Sequence, residues 1–194
     1  MLWVGFQEAW DVCSRVVGSV SGGELEKAFA MSKKTMKVHF SSASNEWATP
    51  RELYERLNTH LRFTLDPCCT IGTAKCSQYF TKEDDGLSQS WGHHRVFMNP
   101  PYGRAIGKWV KKAYEESMID AELVACLIPS RTDTKWWHQY CMKAAKIILF
   151  EGRIKFERDD GLKAPAPFPS CLVIFSWKKS VASGPNFVTM RAHE

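Results

Sequence analysis

No Cys-x-x-Cys pair occurs in the 194-residue chain, although it carries seven cysteines. An odd count without paired spacing argues against a disulfide framework and points to a reducing, cytoplasmic compartment. Cys68, Cys69, Cys76, His93 and His94 lie in one stretch, but their spacing fits no familiar zinc signature, so no metal is expected. No apolar run approaches the length of a membrane span, which argues against a helical membrane protein. The apolar N-terminal stretch is interrupted by Glu8, Asp11 and Arg15 and lacks a basic leader, which argues against a signal peptide. Internal repeats and low-complexity segments are absent. The excess of positive charge is mild, net +5 with a pI near 8.8. It serves either solubility or an anionic partner such as nucleic acid.

What is present suits one substantial core. The apolar fraction is 44%, and the length suits one domain with appendages. In residues 1–35, Leu2, Trp3, Phe6, Trp10, Cys13, Val16, Val17 and Val20 follow helical spacing until Ser21-Gly22-Gly23 breaks it. Three readings of this extension stay open: a helix docked on the core, a dimer contact, or a segment upstream of a start at Met31 or Met36. The core domain is assigned to 36–178 and a polar tail to 179–194.

Within the core, Thr49-Pro50-Arg51-Glu52 has the form of a helix start, with Thr49 as N-cap, Pro50 at the first helical position and Glu52 completing a capping box. Leu53, Tyr54, Leu57 and Leu61 form the buried stripe of that helix. Strands are expected at 61–66, 74–80, 95–98, 123–128, 146–150 and 171–177, with a short extended piece at 152–156 and a loop at 159–170. Helices are expected from Ile106 through Tyr114 and over 133–144. Strands alternating with helices imply an α/β fold, with a mostly parallel central sheet and helices on both faces.

Asn99-Pro100-Pro101-Tyr102 follows the buried run Val96-Phe97-Met98. Two prolines stiffen the corner and remove two N–H donors, which leaves nearby carbonyls free for a ligand. Asn99 adds an amide, and Tyr102 a flat ring for stacking. This combination suits gripping a planar ring by its exocyclic amine. Asp66 ends an earlier strand, so Asp66 and Asn99 belong at the carboxyl ends of strands, where open α/β sheets bind ligands.

Asn99 to Tyr102 resembles the catalytic motif of amino-group methyltransferases that use S-adenosylmethionine. Around it stand Glu46-Trp47-Ala48-Thr49-Pro50, Asp66-Pro67-Cys68, Glu83-Asp84-Asp85-Gly86-Leu87, Arg131-Thr132-Asp133-Thr134-Lys135-Trp136-Trp137 and Gly152-Arg153-Ile154-Lys155-Phe156. In this order, over His39 to Trp177, the set resembles the small phage-type Dam DNA adenine methyltransferases. The resemblance implies a Rossmann-like class I methyltransferase of phage or prophage type acting in a bacterial cytoplasm, as in restriction–modification. Its cofactor would be S-adenosylmethionine and its partner double-stranded DNA with a flipped adenine.

By the same resemblance, Asp66, Pro67, Cys68 and Gly72 curl around the methionine part of the cofactor, with Asp66 neutralising its ammonium. Thr70 stands where the larger family has a glycine, and a positive φ would strain it. Asp85, then Asp84, would accept the ribose hydroxyls, and Trp47, Thr49 and Pro50 would fold over the cofactor. The Asn99 side-chain oxygen and the Pro100 carbonyl would hold the amine, with Pro101 stiffening the corner and Tyr102 stacking on the base. Arg104, Arg131, Lys135, Arg153 and Lys155 are candidate DNA contacts. Specificity is expected from short loops at 157–170 or 86–94. Methylation of RNA or of a protein glutamine needs the same grip, and a non-catalytic DNA-binding module on the same fold is a further alternative.

Overall fold

The computed structural model describes residues 47–157, 163–177 and 185–193; the N-terminal extension assigned to 1–35 lies outside the described residues. Helix α1 is Arg51–Leu61. Strands β1 (Leu65–Asp66), β2 (Gln78–Tyr79) and β3 (Arg95–Met98) follow, then α2 (Ile106–Ile119), β4 (Leu123–Pro129), the short helix α3 (Lys135–Gln139) and a 3₁₀ turn at Cys141–Lys143. The chain continues through β5 (Lys146–Glu151), β6 (Lys155–Glu157), β7 (Lys163–Pro165), β8 (Ser170–Phe175) and β9 (Asn186–Arg191).

Seven strands form one sheet in the order β2-β1-β3-β4-β8-β5-β9, and β6 pairs with β7 in a separate hairpin. β8 runs antiparallel to both its neighbours, and every other pair in the large sheet is parallel. The expectation of a mostly parallel α/β sheet therefore holds.

Alternation along the strands divides the core in two. Val96, Met98, Val124, Cys126, Ile128, Cys171, Val173 and Phe175 face Trp109, Val110 and Ala113 of α2. Phe97, Ala125, Leu127, Leu172 and Ile174 face Leu53, Tyr54 and Leu57 of α1, together with Ile154 and Phe156 from the hairpin region. Apart from Arg95 at the start of β3 and Ser170 at the start of β8, the central strands are apolar because both of their faces are covered.

Several boundaries differ from the sequence reading. The strand expected over 61–66 is only Leu65–Asp66, because Leu61 sits one turn from Leu57 and belongs to the helical stripe. Arg62 then takes φ 50, and Asn58 Oδ1 accepts from the Phe63 N–H at 2.6 Å, which closes the helix end. The strand over 74–80 shortens to two residues. The helix over 133–144 breaks at Tyr140, whose ring packs 5.7 Å from Tyr114. The supposed polar tail contains β9, which adds to the edge of the sheet alongside β5. Val188 and Met190 pack one face of β9 against the core while its remaining residues stay polar or exposed.

Candidate active site

Because β1, β3, β4 and β5 are parallel, their carboxyl ends share one edge of the sheet. Asp66 ends β1, Asn99 follows β3, Arg131 follows β4, and residues 152–155 follow β5. β8 runs the other way, so Phe168, just before its start, reaches the same edge. The three runs around Asp66, Asn99 and Arg131 are thus brought to one rim by topology alone.

At the Asn99 corner, the side-chain Nδ2 donates to the Trp47 carbonyl and to Thr49 Oγ1, the latter at 2.9 Å. Asn99 Oδ1 is buried and has no hydrogen-bond partner. An unpaired buried acceptor is costly, and at a strand-end rim it is open to a partner such as a ligand group or a water. The Pro100 carbonyl is likewise without a hydrogen bond among the described residues, whereas Pro101 O accepts from the Gly103 N–H at 2.9 Å.

These bonds correct the reading of the helix start. Thr49 does not cap α1; Pro50 occupies the N-cap position, and its carbonyl accepts from the Tyr54 N–H at 3.1 Å. Nor does Glu52 close a capping box, since its carboxylate pairs with Lys163 at 3.2 Å. The Thr49 hydroxyl serves Asn99 instead, and Thr49 is buried.

Tyr102 is pinned by its hydroxyl, which donates to the Leu127 carbonyl at 3.0 Å. Burial raises that hydroxyl's pKa well above the usual tyrosine range, so it stays protonated. The Tyr102 ring stands edge-on to Phe168 at 5.4 Å and to Phe156 at 6.1 Å. Trp47 meets the same two rings, at 5.6 and 5.7 Å. Phe156 and Phe168 thereby hold Trp47 and Tyr102 in fixed orientations beside Asn99. Phe168 was not among the expected site residues. Its signal was an aromatic clamped between Pro167 and Pro169, inside a stretch that composition marks only as loop.

Asp66 is 4% exposed. Its carboxylate accepts from the backbone N–H groups of Lys75 (3.2 Å) and Cys68 (3.4 Å), which ties down both ends of the 68–75 loop. Burial pushes its pKa up to about 6, against the opposing pull of these hydrogen bonds. It makes no ion pair among the described residues. Cys68 reaches the Asn99 backbone N–H through its sulfur, and burial holds it as the thiol.

Thr70 does not take a positive φ, so the strain expected there is absent. The turn is closed by Thr73, whose hydroxyl accepts from the Thr70 N–H at 3.0 Å, while the Ala74 N–H donates to Thr70 O at 3.0 Å. Gly72 is exposed, with no protein atom where a Cβ would stand.

The acidic turn is brought directly against this loop. A Cβ on Gly86 would lie 2.0 Å from the Pro67 carbonyl oxygen, so only glycine permits the approach. Trp91 secures the same turn: its ring is fully buried, its Nε1 donates to the Gly86 carbonyl at 2.9 Å, and its backbone N–H donates to Glu116 at 2.8 Å. Residues 86–94 are therefore anchored in the core at Trp91. Asp84 is engaged locally, accepting from the Thr81 N–H and hydroxyl at 2.8 Å each. Those bonds lower its pKa. Asp85, at φ 48, is exposed and its carboxylate is unengaged among the described residues.

Arg104, Arg131, Lys135, Arg153 and Lys155 are all exposed and form no ion pairs among the described residues. Arg51, Arg95, Lys111, Lys112, Lys163 and Arg191, by contrast, are paired with carboxylates. Gly152, at φ 86, turns the chain from β5 towards β6 and places Arg153 and Lys155 near the rim. Among the described residues no three His, Cys, Asp or Glu side chains converge as a metal site, and no helix is long and apolar enough to cross a membrane.

Residues 37–192 match the family described as DNA N-6-adenine-methyltransferase (Dam). The chain is 28% identical over 148 residues to the DNA N-6-adenine-methyltransferase of Haemophilus phage HP1, covering 71% of this chain and 82% of that protein. It is also 34% identical over 65 residues to the Escherichia coli (strain K12) protein YfdM, whose name assigns it provisionally to the methyltransferases. That match covers 30% of this chain and 71% of YfdM.

Proposed function

The chain belongs to the DNA N-6-adenine-methyltransferase (Dam) family, and on that premise we propose that it transfers a methyl group from S-adenosylmethionine to the exocyclic N6 of adenine at specific sites in duplex DNA. The observation that carries this reading is the buried, unpaired Oδ1 of Asn99. Both hydrogens of the amide are spent on Trp47 O and Thr49 Oγ1, so the oxygen is left as an acceptor at the ligand-binding rim.

Adenine N6 is a poor nucleophile because its lone pair is delocalised into the ring. Two acceptors, Asn99 Oδ1 and the Pro100 carbonyl, would hold the two amine hydrogens and draw the nitrogen towards tetrahedral geometry. The lone pair is then localised by preorganised dipoles rather than by a base. Tyr102, fixed by its bond to Leu127 O, offers a ring for the base to stack on. The amine is inaccessible inside the duplex stack, so the target adenine is flipped out. The proton left on the product amine passes to solvent, since asparagine cannot take it.

The residues present fit the proposed methyl donor. S-adenosylmethionine, when bound, supplies an activated methyl group on a sulfonium. Asp66, a buried carboxylate in no ion pair among the described residues, would hold its ammonium. Pro67, Cys68 and Gly72 would line the adjoining loop. Asp85 would accept the ribose hydroxyls, with Asp84 shaping the turn through Thr81. Trp47 and Pro50 would close over the cofactor from the segment that leads into α1. Arg104, Arg131, Lys135, Arg153 and Lys155 would contact phosphates. The Rossmann-like class I assignment is supported by the single antiparallel strand and the site at the carboxyl edge.

The test is transfer of labelled methyl groups from S-adenosylmethionine to unmethylated duplex DNA, with nucleoside analysis. N6-methyladenine is the expected product. Its absence, with a folded protein and intact DNA, would overturn the reading.

A further inference from the structure

We infer that Thr49 is a positioning residue for the Asn99 amide, acting with the Trp47 carbonyl to hold Oδ1 towards the substrate amine; the inference rests on the proposed reaction. Sequence and resemblance direct Thr49 to a helix cap or to the cofactor. The geometry directs it to Asn99.

An asparagine amide has two nearly isosteric orientations, and only one presents oxygen to the substrate. The Trp47 carbonyl can only accept, so it selects the orientation with Nδ2 facing it. A hydroxyl alone would not discriminate, because it can donate or accept. With one hydrogen on Trp47 O, the Thr49 oxygen takes the second at 2.9 Å, and both N–H bonds of the amide are occupied. The amide then has no hydrogen free to turn towards the substrate, and its plane is fixed.

The support behind this pair is itself rigid. Thr49 is 2% exposed. Pro50 follows it and opens α1. Ala48 bridges to Glu157, whose N–H donates to Ala48 O at 3.0 Å, and the Trp47 ring rests on Phe156 and Phe168. The segment is thus fastened to the β6 strand and to α1 on either side of the two acceptors. A methyl-transfer site needs its acceptor held to a fraction of an ångström, and a second layer of bonds is how proteins achieve that.

The experiment compares Thr49→Val, which keeps shape but loses the acceptor, with Thr49→Ser, which keeps it. Thr49→Val should lower kcat about tenfold, the worth of one neutral hydrogen bond, with cofactor Kd and the KM for DNA nearly unchanged. Thr49→Ser should restore most of kcat. A second readout needs no turnover: the Asn99 side-chain amide hydrogens, identified by their loss in Asn99→Ala, should be protected from exchange in the wild-type protein and in Thr49→Ser, and lose protection in Thr49→Val. An unchanged kcat in Thr49→Val would overturn the inference. So would a loss wholly accounted for by weaker cofactor binding, or equal loss in both variants with a lowered Tm. If the wild-type protein transfers no methyl group to DNA, the reaction assignment fails while the exchange experiment still decides the orientation of the amide.

Discussion

Asn99 commits both of its amide hydrogens inside the protein and leaves its oxygen unpaired. Asn99→Ala should therefore lower methyl transfer by about two to three orders of magnitude, as removal of a preorganised dipole does. It should leave cofactor Kd nearly unchanged by calorimetry, while Tm falls modestly because the Trp47 carbonyl and the Thr49 hydroxyl lose their donor. Asp66 makes a separate prediction. Its pKa stands at about 6 in the folded protein because it is buried, above the ordinary value of 3.8. The native state then binds the proton more tightly than the unfolded chain does. Stability is fully present below about pH 4, falls as pH rises towards about 6, and stays level beyond. The loss is roughly 3 kcal/mol and is measurable by urea unfolding across that window. Binding of a cationic ligand group at Asp66 should show the opposite trend, with S-adenosylmethionine Kd tightening between pH 5 and 7.

At the scale of elements, the contact between the Asp66 loop and the acidic turn rests on Gly86. The atom a Cβ would strike is the Pro67 backbone oxygen, which cannot swing aside as a side chain would. Gly86→Ala should cost about 1–3 kcal/mol in denaturant unfolding and weaken cofactor binding beyond what stability explains. Trp91 lies under the same turn, stacked on Trp109 at 6.3 Å with Lys112 5.7 Å above its ring. Residues 86–94, one of the two loops expected to supply specificity, are anchored by this buried tryptophan. The stretch between β6 and β8 differs, because Phe168 within it touches both Tyr102 and Trp47. Phe168, from the other stretch expected to supply specificity, thus lies at the candidate site.

At the scale of the molecule, net charge is only +5, yet exposed cations that form no ion pair among the described residues stand near strand ends along the rim that carries Asn99. A modest global charge with local clustering suits a surface that follows phosphates. DNA affinity should fall linearly with salt on a log–log plot. Replacing Arg131 or Lys155 with alanine should each reduce the slope by about one, checked by titration at several salt concentrations. Unchanged slopes would place the DNA path elsewhere on the molecule.

The sequence by itself determined the alternation of strands and helices, the ordered motifs and the strand-end placement of Asp66 and Asn99. These depend on local pattern: apolar runs specify buried strands, and polar residues at their ends have nowhere to go but the rim. It also carried Val188 and Met190 of β9, but a short amphipathic edge strand reads much like a polar tail. Tertiary structure alone decided which group the Thr49 hydroxyl bonds, since a helix cap and a bond to Asn99 use the same oxygen and only the arrival of Asn99, fifty residues later, selects between them. It alone decided the need for glycine at position 86, which arises from a carbonyl nineteen residues away. It likewise brought Phe168 to Tyr102. Hydrogen-bond partners and close approaches between distant segments are products of sheet order, and sheet order is not written in any local stretch of the chain.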